Sequence, residues 1–116
     1  MKIKTFNSFT IIYPEKCATR EDIEYLKILL LQLIENGYSK IFINFSNLKC
    51  LSLIGFSRLI EILRKYSQDY IRISLICGQK KVYSLIKKFG LKDSISIYKK
   101  EEEVIKNDEA HSSFSR

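Results

Sequence analysis

Residues 41–60 read IFINFSNLKCLSLIGFSRLI and join a nearly continuous apolar run to an amphipathic segment. The run Ile41–Phe45 has the length and composition of a strand that is buried on both faces, as in a parallel sheet. A helix is predicted to begin near Leu53 or Ile54, because the apolar residues that follow recur at the spacing of one helical face. These apolar residues are Phe56, Leu59, Ile60 and Leu63. The stretch therefore predicts a strand–loop–helix unit at the centre of the chain.

The segment before this unit predicts a hairpin and a helix. Two short β-like runs, Lys2–Phe6 and Phe9–Tyr13, flank the two-residue turn Asn7-Ser8. Thr19 is predicted to be a helix N-cap, because it is a hydroxyl residue that directly precedes the helical pattern. The apolar residues after it follow the 3.6-residue period until Asn36-Gly37 ends the helix.

The segment after the unit predicts two more strands and two more helices. Ile71–Ile76 and Ile95–Tyr98 are the strands, and between them lies an amphipathic helix that ends at Gly90. The last short helix is predicted over Lys100–Lys106.

The resulting order, β-β-α-β-α-β-α-β-α, predicts a single α/β domain. An opening hairpin followed by right-handed β-α-β crossovers gives a mostly parallel sheet covered by helices. We expect the domain to span residues 1–107. Residues 108–116 have little apolar content and are predicted to be a flexible C-terminal tail.

Length and composition exclude several classes of protein. The chain has 116 residues, a net charge of +7 and a hydrophobic fraction of 46%, which is ordinary for a globular domain. No apolar stretch approaches the roughly 20 residues of a membrane span. The three cysteines, Cys17, Cys50 and Cys77, do not have the spacing of a metal site and are predicted to be reduced and largely buried. We therefore expect a soluble, cytoplasmic protein without a metal ion or another cofactor.

Catalytic motifs are missing from the sequence. It contains no phosphate-binding glycine loop and no H-E-x-x-H pair, and its single histidine, His111, lies in the predicted tail. The acidic run Glu101-Glu102-Glu103 is typical of the first turn of a helix. We predict that the chain is not an enzyme and has no catalytic residue.

Lysines concentrate near the C-terminal third. Residues 79–100 hold seven lysines against one acid, Asp93. Such a patch suits phosphate groups, although lysines on the outer face of a helix usually serve hydration alone. The seven are Lys80, Lys81, Lys87, Lys88, Lys92, Lys99 and Lys100.

The first helix carries two apolar residues away from its apolar face. Ile28 and Leu31 fall off the stripe that the other apolar residues form. They are a candidate second contact with a protein partner, or else scattered surface residues of the ordinary kind.

The element order and two segments resemble the STAS domain family, the fold of anti-sigma factor antagonists and of the cytoplasmic tails of sulfate transporters. The resemblance covers about residues 9–107. In the family, an apolar strand leads into a loop that often reads D-S-[SA]-G-[LF], and the matching loop here is SLIGF at residues 52–56. FGLKD at residues 89–93 is similar to the family's G-L-x-D turn, which precedes the last strand and the closing helix.

The loop departs from the family at the positions of its phosphorylation switch. Leu53 stands where the resemblance places the phosphoacceptor serine, and Ser52 stands where it places an aspartate. Leucine has no hydroxyl, so we predict no phosphorylation at the usual site. Ser52 is predicted to be the N-cap of the helix. Ser52 and Ser57 are the candidate phosphorylation sites.

The resemblance implies a non-catalytic regulatory module that docks on a protein. The candidate partners are an anti-sigma-type kinase, a stress-sensing assembly or, if the chain is an accessory subunit of an ATP-driven transporter, the transporter ATPase. Docking is predicted through residues 49–57, with Leu53 and Ile54 as an apolar anchor. The candidate partner-binding residues are Lys49, Ser52, Leu53, Ile54, Gly55, Phe56, Ser57 and Arg58. An alternative of another class is a nucleic-acid-binding protein that uses the lysines of residues 80–100.

Overall fold

The computed structural model describes residues 1–68, 70–90 and 95–106, and for residues 16–18, 50 and 51 it describes the backbone alone. In chain order the elements are β1 (Lys2–Thr5), β2 (Thr10–Tyr13), β3 (Lys16–Ala18), α1 (Arg20–Glu35), β4 (Lys40–Asn44), β5 (Leu48–Leu51), α2 (Leu53–Tyr66), β6 (Arg72–Ile76), α3 (Lys80–Lys88) and β7 (Ile97–Tyr98). A short helix, α4, follows at residues 101–106.

The main sheet has five strands in the order β1-β2-β4-β6-β7. β1 and β2 form an antiparallel hairpin, and the other three pairs of neighbouring strands are parallel. This arrangement confirms the predicted α/β fold with an opening hairpin and a mostly parallel sheet.

The two faces of the sheet are covered by different elements. Alternate residues of β4 point to opposite faces, as the strand period requires. Ile41 and Ile43 join the larger core cluster, to which α1, α2 and α3 contribute their apolar faces. Phe42 joins a smaller cluster on the other face, where Val104 of α4 is buried. Ile41–Phe45 is therefore buried on both faces, as the sequence predicts.

The helix ends follow the sequence signals. Thr19 and Asp22 form a capping box at the start of α1, because the Thr19 hydroxyl accepts from the Asp22 amide and the Asp22 carboxylate accepts from the Thr19 amide. Gly37 and Gly90 adopt φ values of +94° and +74° just after α1 and α3. This left-handed conformation favours glycine and ends both helices.

A second, two-stranded parallel sheet of β3 and β5 is the main feature that the predicted element order lacks. Both strands are short, and their partners lie far apart in the chain, so neither carries a local signal. The predicted strand at residues 95–98 is shorter in the structure, where β7 spans Ile97–Tyr98 and Ile95 is buried before it. The predicted tail, residues 108–116, lies outside the described residues.

Candidate docking site

The N-termini of α1 and α2 lie side by side because the strands before them pair. β3 ends at Ala18, one residue before the N-cap Thr19, and β5 ends at Leu51, one residue before the N-cap Ser52. Ala18 and Leu51 are register partners. The small sheet therefore fixes the distance between the two helix starts, although these starts are distant in sequence.

Ser52 caps α2, as the sequence predicts. Its hydroxyl oxygen accepts a hydrogen bond from the Gly55 amide at 3.0 Å, which satisfies one of the amides at the start of the helix. The cap sets the direction of the first helical turn and with it the orientation of the residues that follow.

Leu53 and Ile54 point into solvent. Their exposed fractions are 64% and 69%, although both are large and apolar. They lie next to each other in the first turn of α2 and form one exposed apolar patch. Such a patch on an otherwise polar helix face is a feature of protein contact sites.

Gly55 and Phe56 do not share this surface. Both are buried, and Phe56 belongs to the core, where its ring lies 5.2 Å from that of Phe89. The helical period places them on the inner side of α2. Among the predicted docking residues, all of whose side chains the structure describes, a partner can reach Lys49, Ser52, Leu53, Ile54, Ser57 and the half-buried Arg58.

A groove of about 590 Å³ runs beside the apolar patch, between α1 and α2. Arg20 and Glu24 line it from α1. From α2 it is lined by Leu53, Ile54, Ser57, Arg58 and Glu61. The predicted anchor residues thus form one wall of a groove whose other wall comes from the first helix.

An ion-pair network crosses the groove. Arg58 binds Glu24 of α1 through its Nε and Nη2 atoms and Glu61 of its own helix through Nη1, the last at 3.0 Å. The hydrogen bond from Arg58 lowers the pKa of the Glu24 carboxyl below its usual range. The bond to Glu24 is also the main cause that raises the pKa of Arg58.

The network links the two helices at the surface, and their apolar faces pack in the shared core. Arg20 and Glu24 have no sequence motif that marks them, because their part in the groove depends on the pairing of distant segments.

The candidate second contact lies on the same side of α1 as the groove. Ile28 and Leu31 follow Glu24 by four and seven residues, which places them on one helical stripe. Ile28 is 51% exposed, whereas Leu31 is half-buried. Only Ile28 therefore offers a large exposed apolar surface, next to the groove.

Lys49 faces a different cavity. With Glu15, Lys80 and Lys81, it lines a depression of about 840 Å³ beside the start of α3. The predicted docking residues therefore divide between two depressions that share no lining residue.

The described residues also bear on metal binding and on thiol reactivity. Among the residues that the structure describes, no group of three histidine, cysteine, aspartate or glutamate side chains could hold a metal ion. Cys77 is buried, as predicted, and burial raises the pKa of its thiol, so the protonated form is favoured. No helix in the described ranges is long and apolar enough to span a membrane.

Comparison with known proteins agrees with this architecture. The family model of the STAS domain matches residues 2–104, and the chain belongs to this family. Comparison with curated protein sequences gave no match.

Three solved structures illustrate the similarity of fold. A Thermotoga maritima protein described as a candidate anti-sigma factor antagonist superposes with a TM-score of 0.78 at 20% identity, over 91% of this chain and 92% of that one. The phosphorylated form of the Bacillus cell fate determinant SpoIIAA gives 0.70 at 17% identity, over 91% and 96%. An anti-sigma factor antagonist from Mycobacterium paratuberculosis gives 0.76 at 10% identity, over 91% and 90%.

Proposed function

We propose that the chain is a regulatory protein-interaction module that docks on its partner through the exposed patch of Leu53 and Ile54. STAS domains that resemble anti-sigma factor antagonists are regulatory modules with protein partners, and the family is generally non-catalytic. The observation that carries the proposal is the exposure of two adjacent large apolar side chains beside a groove. Burying such side chains in a partner removes apolar area from water, which is the main source of binding energy at interface hot spots.

Docking through this patch is proposed to be constitutive. Leu53 occupies the position at which the resemblance puts the phosphoacceptor serine, and it cannot accept a phosphate. In a switched relative, phosphate would add a charge of about −1.5 to −2 at this place and disrupt an apolar contact. The hydroxyls of Ser52 and Ser57 are exposed on the same surface and are the candidate sites for any other phosphorylation.

The partner is proposed to be an anti-sigma-type kinase, a stress-sensing assembly or the ATPase of a transporter. Each would bind the folded surface of the chain, and this binding would not require phosphorylation at Leu53. The transporter alternative differs from the others in the identity of the captured protein and not in the docking surface.

The test is capture of partners from native lysate with the immobilised full chain, followed by mass spectrometry. The test variant is Leu53→Asp, and the matched control is Tyr70→Asp. Tyr70 is 88% exposed and lies in the turn after α2, at the end opposite to Leu53. We expect Leu53→Asp to lose its partner, with affinity falling at least about tenfold, because an interface contact would then bury a charge. Tyr70→Asp should bind like the wild type.

Two outcomes would contradict the proposal. If Leu53→Asp captures the same protein as well as the wild type does, the patch is not the interface. If nucleic acid is recovered in place of a protein, the chain belongs to the alternative class. Melting temperatures of both variants complete the test, and we expect both to stay near the wild-type value because the side chains are exposed.

A further inference from the structure

Two adjoining depressions form a basic trough, which begins beyond the carboxyl ends of β4 and β6. The larger, of about 840 Å³, is lined by Lys49, Lys80 and Lys81, and the smaller, of about 530 Å³, by Lys80, Lys81 and Lys88. Two lysines are shared, so the trough is continuous from β5 across the first turn of α3 and along its outer face. All four lysines are exposed.

One side chain ties the two walls of the trough together. Gln79, the residue before α3, donates from Nε2 to the Ser46 carbonyl at 3.1 Å and to the Leu48 carbonyl at 3.0 Å. These bonds fasten the segment that carries Lys49 to the start of the helix that carries Lys80 and Lys81. The lysines are therefore presented by a fixed framework.

We propose that the basic trough binds an acidic segment of a protein partner. Glu15 is the one acid among the described residues that line it, so four lysines outweigh a single carboxylate. Ser46, Asn47 and Ser84 add neutral hydrogen-bonding groups suited to a peptide backbone, and the half-buried Leu85 adds an apolar contact.

A protein ligand accounts for this lining better than a nucleic acid does. Sequence-tolerant binding of single strands uses aromatic side chains on which bases stack, and phosphate recognition often uses arginine. In the described part of the chain, no aromatic residue and no arginine lines either depression. Acidic side chains of a peptide can pair with separate lysines one at a time.

The experiment measures binding of a labelled peptide of glutamate and glycine to the full chain at physiological ionic strength. The comparison probes are a peptide of serine and glycine and a single-stranded DNA of the same charge as the acidic peptide. The test variant is Lys80→Glu/Lys81→Glu. Acidic residues are favourable in the first turn of a helix, so this variant should fold. The matched control, Lys65→Glu/Arg72→Glu, makes the same change of net charge at the end of α2 and the start of β6, away from the trough.

We expect the acidic peptide to bind more tightly than the DNA does, and the neutral peptide not to bind. The trough variant should weaken binding of the acidic peptide by about tenfold, and the control variant by much less. Equal losses in the two variants would show attraction by net charge alone and would overturn the proposal, as would tighter binding of the DNA or absence of binding by the acidic peptide. Leu53→Asp should bind the acidic peptide normally, so this proposal and that of the docking patch can fail separately.

Discussion

At Ser52, one hydroxyl oxygen holds the first turn of α2 in place. Its hydrogen bond from the Gly55 amide lies at the base of the exposed patch, so the cap connects helix stability to the geometry of the proposed docking site. The neighbouring Ser57 is exposed on the outer face of the same helix. The two serines therefore differ in what their hydroxyls contribute to folding, although both are accessible.

Replacement of Ser52 by alanine is expected to lower the free energy of unfolding by about 1 kcal/mol, the usual value of an N-cap hydrogen bond. Ser57→Ala should change it by less than about 0.5 kcal/mol, because substitutions at exposed positions away from caps have small effects. Urea denaturation of the two variants makes the comparison. Equal effects would mean that the Ser52 hydroxyl is not the cap in solution.

At the scale of elements, α1 and α2 are joined at the surface by the network of Glu24, Arg58 and Glu61. The pKa of Glu24 is lowered in the folded chain, so the ionised form is stabilised by folding. This stabilisation is fully present above the pKa of Glu24 in the unfolded chain, about 4.3, and is lost as the pH falls through the lowered folded value.

The stability difference between the wild type and Glu24→Gln should therefore be constant near neutral pH and shrink on acidification below about pH 4.3. Thermal or urea unfolding across this range measures it. The control repeats the comparison in an Arg58→Met background, where the pH dependence of the difference should become much smaller, because only the weaker attraction of Lys27 and Arg20 is left to lower the pKa of Glu24. A pH dependence of unchanged size without Arg58 would mean that the Arg58 hydrogen bond is not the main cause.

The loop before β5 and the start of α3 form a second pair of elements joined by one residue. Gln79→Met keeps the length of the side chain and removes both donors to the Ser46 and Leu48 carbonyls. We expect the free energy of unfolding to fall by about 1 kcal/mol and hydrogen exchange at the Leu48 amide to become faster. Gln32→Met, on the exposed face of α1, is the matched control and should change neither. Unchanged exchange in Gln79→Met would mean that the loop is held by its own turn.

For the whole molecule, α4 covers the face of the sheet that lies opposite to α1, α2 and α3. Val104 of α4 is 2% exposed and packs against residues of β2, β4 and β6 there, and the Tyr13 hydroxyl donates to the Glu101 carboxylate. A chain that ends at Lys106 should melt at the wild-type temperature. In a chain that ends at Lys100, the free energy of unfolding should fall by at least about 2 kcal/mol, because removal of α4 exposes that face to water. Equal melting of the two chains would show that α4 does not belong to the folded unit.

The sequence specifies the main sheet and the three long helices well because their patterns are local. The apolar run at Ile41–Phe45, the helical period of α1 and the Ser52 cap can each be recognised within a short stretch of sequence. The pairing of β3 with β5 and of Glu24 with Arg58 joins segments about thirty residues apart, and no short-range pattern encodes either. Phe56 illustrates a different limit: the sequence places it both on the apolar face of α2 and among the docking residues, and the structure agrees with the first placement, since Phe56 is buried in the core.

The strand order also bears on self-assembly. One outer strand, β1, carries the exposed lysines Lys2 and Lys4, and the other, β7, is only two residues long. Short outer strands and charged side chains on them discourage the addition of a further strand from another molecule. Edge-to-edge polymerisation and strand exchange between copies are therefore disfavoured, even though the inner strands are almost wholly apolar. A chain built in this way can present its helices to partners at high concentration without its sheet growing into a fibril.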